Sequence, residues 1–267
     1  MSMVRNTDAL PYLLAIKTLS TCIKIGRAVA IIDHIAPAGF RRLLEAHITG
    51  IELVELESIP VGRCQHGGTW ERLLYCIDRS EQEYVIQLDS DTLTAGQDLV
   101  EVAACIVENR AFTLGGGPRG SGQQIVAMPE AARSLDFDHD FIGIVAQRWL
   151  TAYPSGEALC YVRGSSAFAG FARGGINRQR IEDFHVNMQR ALGERWAEWG
   201  SEQCASNFAI ANSAEAIVLP WPAYTNFLPQ HPVGDSRFLH FYGTVRYQKG
   251  CYAYLGQQAI ERIMAAP

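Results

Sequence analysis

The chain has 267 residues, of which 48% are hydrophobic, 19% charged and 10% aromatic. That is the make-up of a folded globular protein with a full core, not of a disordered or fibrous one. A formal charge of −5 argues against general nucleic-acid or anionic-membrane binding, because phosphates select basic partners. No run of about 18 apolar residues is present to span a bilayer, and Met1–Thr7 lacks the apolar stretch of a signal peptide. The seven cysteines include no CxxC pair and read as reduced thiols, which points to the cytoplasm.

The first half alternates helix and strand signals. Residues 8–21 place apolar side chains at helical spacing, and Ala28–Asp33 is a short apolar run ending on an acid. Pro37–His47 reads as a helix with proline in its first turn. Glu52–Leu56 alternates like a strand, Gly68–Asp78 is helical, and Tyr84–Leu88 is a strand that stops at Asp89. A helix over Gly96–Asn109 and a strand over Ala111–Leu114 follow. Short strands alternating with helices predict an α/β layered fold with a largely parallel sheet. Ligands of such sheets sit beyond the carboxyl ends of the strands, where Asp33 and Asp89 both fall.

The second half is less regular. Gly115–Gly122 reads as a flexible loop and a candidate lid, Pro129–Leu150 as helix with breaks, and Tyr161–Phe171 as a strand pair or a bulged strand. Gly200–Asn212 is helical, Ala216–Leu219 and Arg237–Phe241 are strands, and Ile260 and Ile263 suit a closing helix. No linker marks a boundary, so the sequence reads as one domain, 1–267, whose second half builds a substrate wall.

The sharpest local feature is Gln87-Leu88-Asp89-Ser90-Asp91-Thr92 after the Tyr84–Leu88 strand. Two carboxylates at i and i+2 can turn toward one hard cation, and Mg²⁺ or Mn²⁺ favours such oxygens together with substrate phosphates. Asp and Ser are also good turn formers, so the motif alone reads first as a plain turn. In its context it resembles the Asp-x-Asp motif of nucleotide-sugar-dependent glycosyltransferases with the GT-A fold.

A second feature is His240-Phe241-Tyr242-Gly243-Thr244-Val245-Arg246. A histidine after an apolar strand can add a neutral imidazole ligand. Gly243 lets the backbone approach a phosphate, and Arg246 can pair with it through a planar fork. The competing reading is a core histidine beside a tight turn. The spacing resembles the His-x-x-Gly-x-x-Lys element of family 8 glycosyltransferases, which include glycogenin and bacterial lipooligosaccharide galactosyltransferases. Arg stands here for the usual Lys. The third feature, Glu202-Gln203-Cys204-Ala205-Ser206-Asn207, is similar to the same family's Asp-Gln-Asp-x-x-Asn element beside the sugar. Glu replaces its first Asp and Cys204 its second. Gly-Ser-Glu-Gln is also a good helix start, with Ser201 as cap and Glu202 in the first turn.

Weaker features follow in the same order. Val4–Asp8 with Tyr12 resembles the first strand and turn that hold the nucleobase, so the resemblance implies a role for Asp8 toward it; the alternative is a helix cap. Thr69–Leu73 resembles the Tyr-x-Arg-Leu helix before the metal motif, which implies that Arg72 reaches the diphosphate or sugar; a surface arginine is the alternative. Gly164–Phe171 falls where the family has a strand facing the sugar, with Ser165 or Ser166 in place of its Asn. Trp221, Tyr224 and Phe227 can stack on a sugar acceptor or simply pack. Asp136, Asp138, His139 and Asp140 form a dense acidic cluster, read chiefly as a loop capping the next helix.

The resemblance implies a GT-A fold, with 1–114 as the nucleotide-binding half and 115–267 as the acceptor and sugar half. It implies a metal-dependent hexosyltransferase using a UDP-linked or other nucleotide sugar, with retention of configuration. Mn²⁺ or Mg²⁺ would be held by Asp89, Asp91 and His240. Donor contacts would come from Asp8, Arg72, Arg246, Gly243, Ser165 and Asn207, and the catalytic residues would be Glu202 and Gln203, which hold the sugar, with Gln203 where the family places a group beneath the anomeric carbon. The acceptor is a hydroxyl on a glycan, lipid-linked oligosaccharide or protein; peripheral membrane docking stays open. The rivals are a nucleotidyltransferase, though Val4–Tyr12 lacks its glycine-rich basic loop, and a non-catalytic nucleotide-sugar or glycan-binding module.

Overall fold

A computed structural model of the chain describes residues 1–115, 124–135 and 139–265. The main sheet is built from β1 (Ser2–Met3), β2 (Val29–Ile32), β3 (Glu52–Glu55), β4 (Val85–Leu88), β6 (Phe112–Gly115), β9 (Gly164–Phe171) and β10 (Ile217–Val218). Its order is β3-β2-β1 and β4-β9-β6-β10. The two parts join where the Met1 N–H donates to Ile86 O at 2.7 Å and Leu88 N–H to Met1 O at 3.0 Å, the pattern of a parallel bridge. Pairing is parallel throughout except on both sides of β9, which runs antiparallel to β4 and β6.

Helices cover both faces, as a parallel sheet requires. All four residues of β2 and all eight of β9 are buried. One face carries α1 (Ala9–Ser20), α2 (Ala38–His47) and α4 (Val100–Glu108), packed through Tyr12, Leu13, Leu44 and Val102 onto Ala30, Phe112 and Phe168. The other carries α3 (Trp70–Ser80), α5 (Met128–Arg133), α6 (Ile142–Trp149), α7 (Arg178–Leu192) and α8 (Ser201–Ala211). Its core is aromatic: Trp70, Trp196, Phe184 and Phe208 lie within one cluster. A short ribbon, β7 (Val126–Ala127) with β8 (Cys160–Tyr161), lies beside it.

A second, small sheet positions the site. In it β12 (Phe238–His240) pairs antiparallel with β5 (Thr92–Thr94) and parallel with β11 (Tyr224–Asn226). The last helix, α9 (Cys251–Ala265), packs against it through Tyr252, Leu255 and Ala259.

The predicted α/β layering therefore forms, and Pro129–Leu150 is indeed broken, into α5 and α6. Of the two forms foreseen for Tyr161–Phe171, the bulged strand is the one that forms. β8 precedes β9, and β9 is bulged: its partners on β6 jump from Ala169, opposite Thr113, to Ser165, opposite Leu114. Among the elements that lie outside the sequence prediction are α7, β5 and β11. α7 is strongly polar, with buried apolar side chains only at Ile181, Phe184 and Met188, while β5 and β11 are each three residues long. Residues 116–122 of the candidate lid, and Asp136 and Asp138 of the acidic cluster, lie outside the described residues. All seven cysteines are free. No described helix is long and apolar enough to cross a membrane.

Candidate active site

Asp89 leaves the carboxyl end of β4. Its N–H donates to Ala167 O at 2.8 Å, and the Thr92 hydroxyl donates back to its carbonyl at 2.8 Å. This tight turn brings Asp91 round beside the site, and β5 then begins at once. Antiparallel pairing sets His240 opposite Thr92, and the Phe241 N–H donates to Asp91 O at 2.8 Å. Two segments about 150 residues apart in sequence are thereby stitched together by backbone. Ligand atoms of Asp89, Asp91 and His240 all lie within 4.8 Å of one another. Asp91 and His240 are buried, with His240 Nε2 at 3.4 Å from Asp91 Oδ1. Burial by itself would raise the Asp91 pKa, but the His240 hydrogen bond and the charges of His240 and Arg246 outweigh it and hold the group below the usual carboxylate value. Two carboxylates and an imidazole suit a hard or borderline divalent cation.

Each carboxylate also has an arginine. Arg72, on α3, is 4% exposed and pairs through Nη1 with Asp89 Oδ1. Its Nη2 lies 3.8 Å from Glu202 Oε1, an ion pair too long for a hydrogen bond. Burial alone would depress the Arg72 pKa; Asp89 and Glu202 reverse this and push it up. Arg246 Nη2 lies 3.1 Å from Asp91 Oδ2, while its Nε–H donates to Gly243 O at 3.0 Å. Gly243 has φ of +53°, a value that glycine adopts without strain and that turns the chain here.

Glu202 is 2% exposed in the first turn of α8. Its Oε2 accepts from the hydroxyls of Thr69 at 3.0 Å and Ser166 at 3.3 Å. Burial raises its pKa, Arg72 opposes, and Asp89 adds to the rise. Thr69 has φ of +71°, a strained value for a β-branched residue, and follows Gly67 and Gly68, both also at positive φ. Glu202 Oε1, Arg72 Nε and Gln87 Oε1 are buried without a hydrogen-bond partner among the described residues. Such orphaned polar atoms are uncommon in a folded protein and fit a site that gains partners from a ligand.

The other sequence candidates divide. Gln203, next to Glu202, is half-buried and makes no side-chain hydrogen bond among the described residues. Asp8 stands before α1 without accepting a bond from it. It shares a neighbourhood with Asp91, Arg246 and Tyr252. Burial pushes the Tyr252 phenol up to about 12, Asp91 and Asp8 add to this, and Arg246 opposes. The Tyr252 hydroxyl has no hydrogen-bond partner among the described residues. Asn207 uses both ends of its amide on Gly164, accepting from N–H and donating to C=O at 3.2 Å each, so its bonds hold β9 rather than face an open site. Ser165 Oγ accepts from Ala167 N–H at 3.4 Å, and it is Ser166 that reaches Glu202. Tyr224 and Phe227 are buried in packing, while Trp221 is 45% exposed. Asp140 pairs with Arg195, and His139 Nδ1 accepts from Phe141 N–H. Asp33 forms an exposed cluster with His34 and Glu57.

Thr69 and Asn226 are the residues that sequence reasoning missed. Asn226 Oδ1 sits 2.7 Å from His240 Nδ1. Thr69 was within a quoted motif, but its left-handed backbone has no sequence signal at a β-branched residue.

No family model matches the chain, and no curated protein does. Solved structures do. The galactosyltransferase LgtC, in complex with donor and acceptor sugar analogues, superposes with a TM-score of 0.50 at 10% identity, covering 100% of this chain and 96% of that one. The apo bifunctional glycosyltransferase WbbM gives 0.50 at 14% identity over 100% of this chain and 49% of that one. The chain has the GT-A fold. An active-site Gln→Glu variant of LgtC gives 0.51 at 10% identity, over 97% and 93%. The chain spans about half the length of WbbM and nearly all of LgtC.

Proposed function

We propose that the chain is a metal-dependent glycosyltransferase that moves a hexose from a nucleotide sugar, UDP-linked, to a hydroxyl acceptor. The observation that carries this reading is the convergence of Asp89, Asp91 and His240 within 4.8 Å, bracketed by Arg72 and Arg246. The GT-A fold supports it, as do the LgtC structures, one with donor and acceptor analogues and one altered at an active-site glutamine.

The chemistry required is to release a nucleoside diphosphate from C1 of a sugar that gains positive charge. Asp89, Asp91 and His240 would hold Mn²⁺ or Mg²⁺, which when bound neutralises charge on the leaving phosphates. Arg246, with Arg72 behind Asp89, adds guanidinium charge on the same side. Glu202, locked by Thr69 and Ser166, holds the sugar ring beside Arg72. Gln203 supplies an unspent amide for the sugar near its anomeric carbon. Asp8 would serve the nucleobase, as the family 8 resemblance implies. Residues 1–114 form the nucleotide half and 115–267 the acceptor half; transfer proceeds with retention, as the family 8 resemblance implies. Seven free thiols suit the reducing cytoplasm. Glycan, lipid-linked and protein hydroxyls are all acceptors of the right chemistry.

A donor that binds only the folded state stabilises it by about 2.7 kcal/mol at roughly 100 times its Kd. UDP-hexose with Mn²⁺ should therefore raise the melting temperature by several degrees, and EDTA should remove the rise. Asp91→Ala and His240→Ala should each lose it, and the double variant should lose no more, since residues acting as a unit are non-additive. A donor-induced rise that survives both substitutions would exclude this site.

A further inference from the structure

We infer that Asn226 is a positioning residue that fixes the tautomer of His240 and so makes it competent to hold a cation. The inference deepens the proposed metal site and rests on it. It starts from the register of the small sheet. β11 and β12 run parallel, and Asn226 stands opposite His240, with the Phe227 N–H donating to His240 O at 2.8 Å. The two side chains are therefore held on one face of neighbouring strands. Asn226 Oδ1 comes to 2.7 Å from His240 Nδ1, while the other ring nitrogen, Nε2, points to Asp91 at 3.4 Å.

The chemistry follows from which atoms can donate. A neutral imidazole carries one N–H and one lone pair. An amide oxygen only accepts, so Asn226 Oδ1 holds a proton on Nδ1; the neutral ring then has its lone pair on Nε2, whereas the protonated ring also donates from Nε2 to Asp91. The neutral form is the one that can ligate a metal at the atom facing Asp91. Without Asn226 the balance reverses. The carboxylate of Asp91, acceptor-only, favours a proton on Nε2, which blocks the metal and turns the lone pair the wrong way. The sheet thus places an acceptor behind the ring to oppose the acceptor in front of it. Arg246 works in the same direction by engaging Asp91 Oδ2. Ligating histidines commonly rely on such a partner, and its removal typically costs about 10–100-fold in metal affinity. No feature of Pro220–Gln230 in the sequence marks Asn226, because the partner is defined only across the strand pair.

The test uses the full-length protein with Asn226→Leu, which removes the acceptor at similar size, and Asn226→Asp, which keeps it. Nitrogen-15 imidazole spectra of metal-free wild type at alkaline pH should show His240 with its proton on Nδ1, and Asn226→Leu should shift the proton toward Nε2. Mn²⁺ titration followed by electron paramagnetic resonance, with UDP present, should show affinity about 10–100-fold weaker for Asn226→Leu and restored by Asn226→Asp. Wild-type His240 protonated on Nε2, or equal Mn²⁺ affinity in the leucine variant, would overturn the role of Asn226 and leave the metal site standing. Absence of Mn²⁺ uptake by the wild type, as in His240→Ala, would overturn both.

Discussion

At the residue scale, the site is a set of buried charges that hold one another in place. Glu202 shows the cost most directly. Its carboxyl is sealed from water, and burial outweighs Arg72 in raising its pKa above the ordinary value. The folded state therefore holds a proton on this group more tightly than the unfolded chain does. Stability is greatest where both states are protonated and falls as pH rises through the window between the unfolded value, about 4.5, and the raised folded one. Glu202→Gln, which stays neutral, should accordingly melt above wild type at pH 7–8, with the gap closing as pH falls toward 4.5. Donor turnover should fall at the same time, the trade-off common where a strained site serves function. A variant that melts below wild type across the whole range would contradict the account. Asp89, Asp91, Glu202 and Arg246 could be singled out in the sequence because their motifs are local and charged. Arg72 could be singled out but its burial could not, since it depends on two carboxylates 17 and 130 residues away. Asn207 shows the opposite case: the right residue at the right spacing, whose amide is consumed by the Gly164 backbone.

At the element scale, the start of α8 is the piece that sets Glu202 and Gln203, the groups proposed to face the sugar. The helix opens from Gly200, whose φ is +105°. A Cβ there would lie 2.7 Å from the Phe141 ring, and beneath it Ser201 Oγ accepts from Trp70 Nε1–H at 3.0 Å. Left-handed backbone and close packing both demand glycine. Gly200→Ala should cost about 1–3 kcal/mol in urea unfolding, and it should weaken donor turnover by moving Glu202. Unchanged stability would show that the first turn does not depend on this contact. The sequence marked this helix well, with glycine, serine and an acid at its start. It marked α7 poorly, because most of α7 faces water and its few buried side chains give a thin stripe. β5 and β11 left no trace: three residues show no periodicity, and their meaning lies in what they pair with.

At the scale of the whole molecule, the decisive event is the return of the C-terminal segment to β5. Only that pairing turns a common Asp-x-Asp turn and an isolated histidine into one cluster. The α/β order of the chain predicted the parallel sheet, and the family resemblance predicted the return; the residues alone did not. The fold also arranges that each of the two carboxylates has a guanidinium partner, which offsets its charge. Arg72 and Arg246 would then change partners as a cation and a diphosphate arrive together. By the proposed function, this arrangement would break the bond between a sugar and a nucleoside diphosphate. The most direct measurement is phosphorus NMR of the full-length protein incubated with UDP-hexose and Mn²⁺, with and without a sugar acceptor. The account predicts appearance of UDP, abolished by EDTA and by Asp91→Ala. Pyrophosphate or UMP in place of UDP would assign phosphoryl chemistry instead, and a donor bound but unconsumed would contradict catalysis at this site.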